Sequence, residues 1–407
     1  MTHSNRSAQR AAMRRRILAA VGGLAVGATA LSATPAAAAE GPVPDPALRA
    51  CVNEALRHAP DAPIIEAELA TLRTLKCESP DVRDLTGLAG ATALTELSVR
   101  AGDPYRRCDT APTLDLEPIL GLTQLKSLGI ECAGLRQLEP LTAFSHLTEL
   151  NVNGNGISDL APLAQLTELE TLYLQVNKID ELTPLSSLKR MRVLVLDANE
   201  IVNLGPLAEL SKLSTLSATD NQISDLSALS NLHGLEDLTL DGNQITDIEP
   251  LRELLNLEHL TLLGNKVTDI SPIEPLKNMR FAELSMQRIE LPEARVGDTI
   301  TFEVMGIAGD ALALTPAHNY KLTTDGIVLL EPGNIELAWS QPFILGSADT
   351  GFAGAAYVTA KPRPPVLKWI GIGGAAAAVL GIIVWLRSRA TARDRAVVEG
   401  AAARSGL

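Results

Sequence analysis

Histidine, cysteine and carboxylate are the side chains of this sequence that could do chemistry. General acid–base catalysis needs such a group within hydrogen-bond reach of a second, and a metal site needs several ligands that converge. The six histidines, His3, His58, His146, His233, His259 and His318, are scattered and form no such grouping. No G-x-S-x-G, H-E-x-x-H or phosphate-cradling glycine loop occurs. The carboxylates recur in phrases such as "SDL" and "TDI", once per repeat, which marks them as turn or surface residues. The reading is of a protein that is not an enzyme and that carries no cofactor and no metal. A formal net charge of -13 argues against a nucleic-acid partner, which would call for clustered positive charge.

The recurring polar residue with a purpose is asparagine. Asn155, Asn177, Asn199, Asn221, Asn243 and Asn265 follow one another at intervals of 22 residues without a slip. Before each lies L-x-x-L-x-L-x-x-N or a close variant, as in "LTELNVNGN", "LETLYLQVN" and "LEDLTLDGN", and after each comes I-x-D-L-x-P-L or a near copy. Such periodicity specifies a leucine-rich repeat solenoid: a parallel β-sheet on the concave face and short turns or 3-10 segments on the convex face. In "LTL", Leu238 and Leu240 point inward and Asp237, Thr239 and Asp241 outward, because strand side chains alternate. Each asparagine stands where the chain leaves the sheet with unpaired backbone groups. Its amide both donates and accepts, so stacked copies form a ladder. The proline at 118, 140, 162, 184, 206, 250 and 272 favours a tight return turn, and Ala228 breaks that series. The register extends to Leu72 on one side, with an insertion around "DPYRRCDTAP", and to Gln287 in the asparagine slot on the other. The repeats are assigned to 70–289.

These repeats make the chain resemble the bacterial leucine-rich repeat surface proteins of the internalin-like class. The segment "VPDPALRACVNEALRHAPDAPIIEAELATLRTL" resembles their helical amino-terminal cap, at 40–69, and reads as one unaided: Asp45 can cap, Pro46 opens the helix, and Leu48, Val52, Ala55 and Leu56 share a face. From 290 to 361 the rhythm stops, and short runs of period two, such as Ile300, Phe302 and Val304, read as strands. This block is similar to the small immunoglobulin-like domain that follows the repeats in that family. Trp339 and Phe352 are expected in its core. Many internalin-like proteins end in a wall-sorting signal, and no L-P-x-T-G is found here.

Both ends of the chain read as membrane signals. Arginines precede an apolar run and a small-residue stretch, the pattern of a signal peptide over 1–39. After a proline-rich stalk at 362–368, "WIGIGGAAAAVLGIIVWL" (369–386) carries no charge. Its 18 residues reach about 27 Å as a helix, close to the ~30 Å hydrocarbon core. Arg387, Arg389, Arg393 and Arg395 then place the tail, 387–407, in the cytoplasm. Gly373, Ala377 and Gly381 could pack against another membrane helix. The protein is therefore expected to be exported and held by a single span, with its ectodomain outside the cell.

Cys51, Cys77, Cys108 and Cys132 form an even set in an exported chain, which favours disulfides over metal binding. Three pairings are open. Cys51 with Cys77 would staple the cap to the first strand, and Cys108 with Cys132 would pin the insertion.

Function then rests on the concave sheet. Nine or ten strands at ~4.8 Å spacing give a face on the order of 40 to 45 Å long. Tyr173, Val193, Val195, Asp197, Asp237, Asp241, His259, Leu263 and Phe281 are its candidate binding residues. Outward aromatic and aliphatic side chains are ones that a merely solvated surface does not require. The expected partner is an extracellular protein. The alternative is a structural or assembly component of the cell envelope, acting as a spacer or accessory subunit.

Overall fold

The computed structural model describes residues 41–79, 81–102, 108 and 113–363. The expected signal peptide, transmembrane helix and cytoplasmic tail lie outside the described residues. Among the described residues no helix is long and apolar enough to cross a membrane.

The repeated strands are β1 (Thr74–Cys77), β2 (Glu96–Arg100), β3 (Ser127–Glu131), β4 (Glu149–Asn151), β5 (Thr171–Tyr173), β6 (Val193–Val195), β7 (Thr215–Ser217), β8 (Asp237–Thr239), β9 (His259–Thr261) and β10 (Phe281–Glu290). They pair in parallel in chain order. The register sets equivalent residues side by side: Leu150 lies beside Leu172, then Leu194, Leu216, Leu238 and Leu260, and the row ends at Ala282. That row is buried along its whole length, and the residues flanking it are partly exposed. The interior is thus a stack of aliphatic layers, each covered by its neighbours. Truncating one such leucine to alanine typically costs about 2–5 kcal/mol.

Each coil returns through a 3-10 turn, and the prolines occupy its second position, as in Glu139–Ala143, Ala161–Gln165 and Glu249–Leu251. A proline there sacrifices no intrahelical bond. The repeated carboxylates set up these turns: Asp159 accepts from the Ala161 amide, Asp225 from Ser227 and Asp247 from Glu249, each at 2.8 Å.

The first coil is covered by helix α1 (Pro46–Leu56), which buries Leu48 and Val52. Asp45 does more than cap it. One carboxylate oxygen accepts from Ala47 and Leu48 at 2.9 Å, and the other from the Arg83 and Asp84 amides at 2.8 and 3.1 Å, tying the helix to the first coil. Disulfides join Cys51 to Cys77 and Cys108 to Cys132. The second bond lies on Gly154, where a β-carbon would stand 2.9 Å from one sulfur and 3.1 Å from the other.

The carboxyl-terminal strands are β11 (Ala294–Arg295), β12 (Thr299–Ile300), β13 (Tyr320–Thr323), β14 (Gly326–Leu329), β15 (Gly333–Leu345) and β16 (Ala348–Lys361). β12, β14 and β13 make a small antiparallel sheet. The run read as a strand through Val304 forms ladder pairs only at Thr299 and Ile300. The long hairpin of β15 and β16 does not belong to a separate sheet: β16 pairs in parallel with β10, so the solenoid's sheet runs on into it and reaches 13 strands. Trp339 packs between Phe302 and Phe352, with ring centroids 5.8 and 5.9 Å away, in the core beneath the hairpin.

Candidate binding face

A broad sheet can serve as a binding face only if its curvature is fixed, and the asparagine ladder fixes it. The Asn177 amide group donates to Leu174 O in its own coil (2.9 Å) and Val152 O in the preceding one (3.2 Å), while its oxygen accepts from Gly156 and Ile157 at 2.9 and 3.0 Å. Asn199, Asn221, Asn243 and Asn265 repeat the pattern. Asn155 begins the ladder against Ala133 and Leu135, where its oxygen accepts both amides. Gln287 ends it, accepting from Val267 and donating to Leu262 O and Leu284 O. All seven are buried.

The concave side carries three rows of side chains. The first runs Glu149, Thr171, Val193, Thr215, Asp237, His259 and Phe281, and the second Asn151, Tyr173, Val195, Ser217, Thr239, Thr261 and Glu283. The third, just before the ladder, runs Asn153, Gln175, Asp197, Thr219, Asp241, Leu263 and Ser285.

The nine candidates do not form one patch. Tyr173 lies beside Val195, and Val193 shares their two strands, giving an aliphatic and aromatic centre. Phe281, about half exposed, stands four strands away. Asp197 is fully engaged: Gln175 donates to one oxygen at 2.8 Å, and Ser217 Oγ and the Thr219 amide donate to the other at 2.5 and 2.9 Å. Asn153 continues this chain by donating to Gln175 Oε1 at 3.0 Å. Asp237 meets His259 Nδ1 and accepts from the Thr215 hydroxyl at 3.2 Å. Asp241 accepts from the Leu263 amide at 2.8 Å. Burial pushes the Asp241 carboxyl above its ordinary value, the Thr261 hydroxyl and Leu263 amide offset part of that, and the Glu283 and Asp220 charges add to it.

The face also has members outside the nine. Val176 is 60% exposed at the strand exit, with φ of 56°, and Met286 holds the equivalent place in β10 with φ of 58°. Glycine fills this slot at 154, 242 and 264, and Ala198 and Asp220 hold it at φ of 54° and 53°, so alignment of the copies would have picked out Val176 and Met286 as its two large apolar occupants. Among the described residues no group of three or more histidines, cysteines and carboxylates is placed to hold a metal ion.

A parallel-sheet solenoid with an amide ladder and an uncovered concave face defines a leucine-rich repeat protein. Residues 145–187, 211–253 and 233–278 match the family model for leucine-rich repeats in two copies. Internalin C2 of Listeria monocytogenes is 31% identical over 59% of this chain and 93% of its own, with a TM-score of 0.46. InlP of Listeria monocytogenes is 18% identical over 78% of this chain and 96% of its own, with a TM-score of 0.52. No curated protein matches the chain. The chain belongs to the internalin-like family of bacterial leucine-rich repeat proteins, a class of non-enzymatic binding and adhesion proteins.

Proposed function

We propose that this protein is an exported, membrane-anchored receptor or adhesin whose concave face takes an extracellular polypeptide. The observation that carries the reading is the aromatic and aliphatic set on that face, Phe281 half exposed and Tyr173, Val193 and Val195 partly exposed, over a backbone held by the amide ladder. Such side chains, displayed on a rigid scaffold, are the usual anchors of a protein interface. The uncharged segment 369–386 supports anchoring, and the arginines after it support a cytoplasmic tail.

The test is capture of proteins from the cell surface and surroundings by the full chain and by its Tyr173→Ala and Phe281→Ala variants. The reading requires a partner whose capture falls in both variants while their melting temperatures stay at the wild-type value. Capture unchanged in both variants rejects the concave face as the site.

A further inference from the structure

The proposed face has a sign and a length, and these describe its partner. On β4 to β10 the three concave rows hold Glu149, Asp197, Asp237, Asp241 and Glu283, and no lysine or arginine. Arg192 and Arg280 lie at the strand entrances, paired with Glu170 at 3.4 Å and Glu258 at 2.9 Å, and Arg288, further along β10, is paired with Glu290 at 3.1 Å. Lys178 and Lys266 follow the ladder asparagines, beyond the strands. His259 is the one group on the three rows that can become cationic.

The face does not stop at the last repeat. Leu284 pairs with Phe352 in β16, Thr350 Oγ1 donates to Ala282 O at 2.6 Å, and the Ser347 amide donates to Met279 O at 2.7 Å, so the hairpin is fastened to the end of the repeat sheet. Ile344 pairs with Asp349 across that hairpin. Phe281, at the last repeat, is 51% exposed.

The first row thus reads apolar, acidic, apolar: Val193, then Asp237 two strands on, then Phe281 two strands beyond that. At ~4.8 Å per strand the two apolar stations are about 19 Å apart, a span that an extended chain crosses in about six residues. We infer that the partner of this face is a cationic, extended polypeptide segment laid across the strands. One apolar side chain sits over the Tyr173, Val193 and Val195 cluster, a lysine or arginine about three residues on sits over Asp237, and a second apolar side chain about three residues further sits against Phe281. The inference rests on the concave face being the binding site and adds the charge and spacing of what it takes.

The probe is a phage-displayed library of random linear peptides panned on the full chain, with enriched sequences made as fluorescent peptides. The expected result is enrichment of peptides with a basic residue between two apolar residues about six positions apart, and weakening as ionic strength rises. Exchanging that basic residue for glutamate should weaken binding by about tenfold or more. Asp237→Asn with Asp241→Asn in the protein should weaken it by a similar factor, with a melting temperature no lower than the wild type's showing the fold intact. Neutral or acidic peptides that lose binding in Phe281→Ala overturn the cationic partner and leave the face as the site. Peptides indifferent to Tyr173→Ala, Phe281→Ala and the double variant alike, or no enrichment at all, overturn both.

Discussion

The amide oxygen of Asn199 accepts a hydrogen bond from the backbone N–H of Ile179, 3.0 Å away in the preceding coil. The same side chain donates to Leu174 O and Leu196 O, each at 2.9 Å, so one residue satisfies backbone groups of two coils. Water cannot replace these bonds, because the site is buried. Asn199→Ala leaves several buried polar groups without partners, and a loss of about 2–4 kcal/mol is expected from denaturant unfolding. Asn199→Asp should also destabilise, since a carboxylate would face the carbonyls that the amide now serves. A mid-solenoid variant that unfolded like the wild type would remove the ladder from the account of stability.

The slot just before each asparagine makes the second prediction. The backbone there is left-handed, with φ of 69° at Gly154 and 63° at Gly242, a conformation glycine adopts without cost. Val176 adopts it at 56° despite a branched β-carbon, and its side chain is 60% exposed. Left-handed backbone costs an ordinary residue about 1–2 kcal/mol, and replacing it with glycine returns about 0.5–1 kcal/mol to the unfolded chain as entropy. Val176→Gly should therefore raise the melting temperature slightly. Gly242→Val should lower it clearly, because a β-carbon there would stand 2.3 Å from Asp220 Oδ1. Since strain of this kind persists where the residue is put to use, Val176→Gly is also expected to weaken partner capture.

The cap supplies the third. Cys51 and Cys77 are bonded across a sequence separation of 26. Closing a loop of that size in the unfolded state is worth about 3–4 kcal/mol in the chain-entropy model. Cys51→Ser with Cys77→Ser should lower the unfolding free energy by about that amount. Hydrogen exchange should locate the loss in α1 and β1, with β6 to β9 still protected, because each coil of a solenoid touches only its neighbours.

The solenoid was legible because its signal is arithmetic. Spacings of 22 residues place Asn155 to Asn265 in one column and Leu150 to Leu260 in another, and parallel pairing turns columns into neighbours. The outward direction of Tyr173 and Phe281 came from the same alternation. What lay beyond the repeat was not legible. The pairing of Leu284 with Phe352 depends on β16 returning to β10 across 68 residues, and nothing periodic encodes that return. Period-two runs between 290 and 361 signal strands, but not that the longest hairpin pairs with the last strand of the repeats. Neither could sequence divide the outward carboxylates into those engaged by neighbours, such as Asp197, and those free to meet a ligand. That depends on whether the neighbouring column offers a donor, as Gln175, Ser217 and Thr219 do for Asp197.

Asp241 sets binding against stability. Burial raises its carboxyl above the ordinary value of about 4, so the folded protein holds that proton more firmly than the unfolded chain does. Its contribution to stability is then whole below the unfolded value and is lost as pH rises through the folded one. At neutral pH the carboxylate is ionised at a cost that Glu283 and Asp220 increase. Asn at this position keeps an oxygen for the Leu263 amide and discards the charge. Asp241→Asn should accordingly melt above the wild type at pH 7, and the two melting curves should converge as pH falls below the ordinary carboxyl range. The same substitution is expected to weaken a cationic peptide on the concave face. A variant that melted below the wild type at every pH would mean that Asp241 is held for the bonds it makes in the folded chain. Greater stability coupled to weaker binding would mean that its charge is kept for what the face meets.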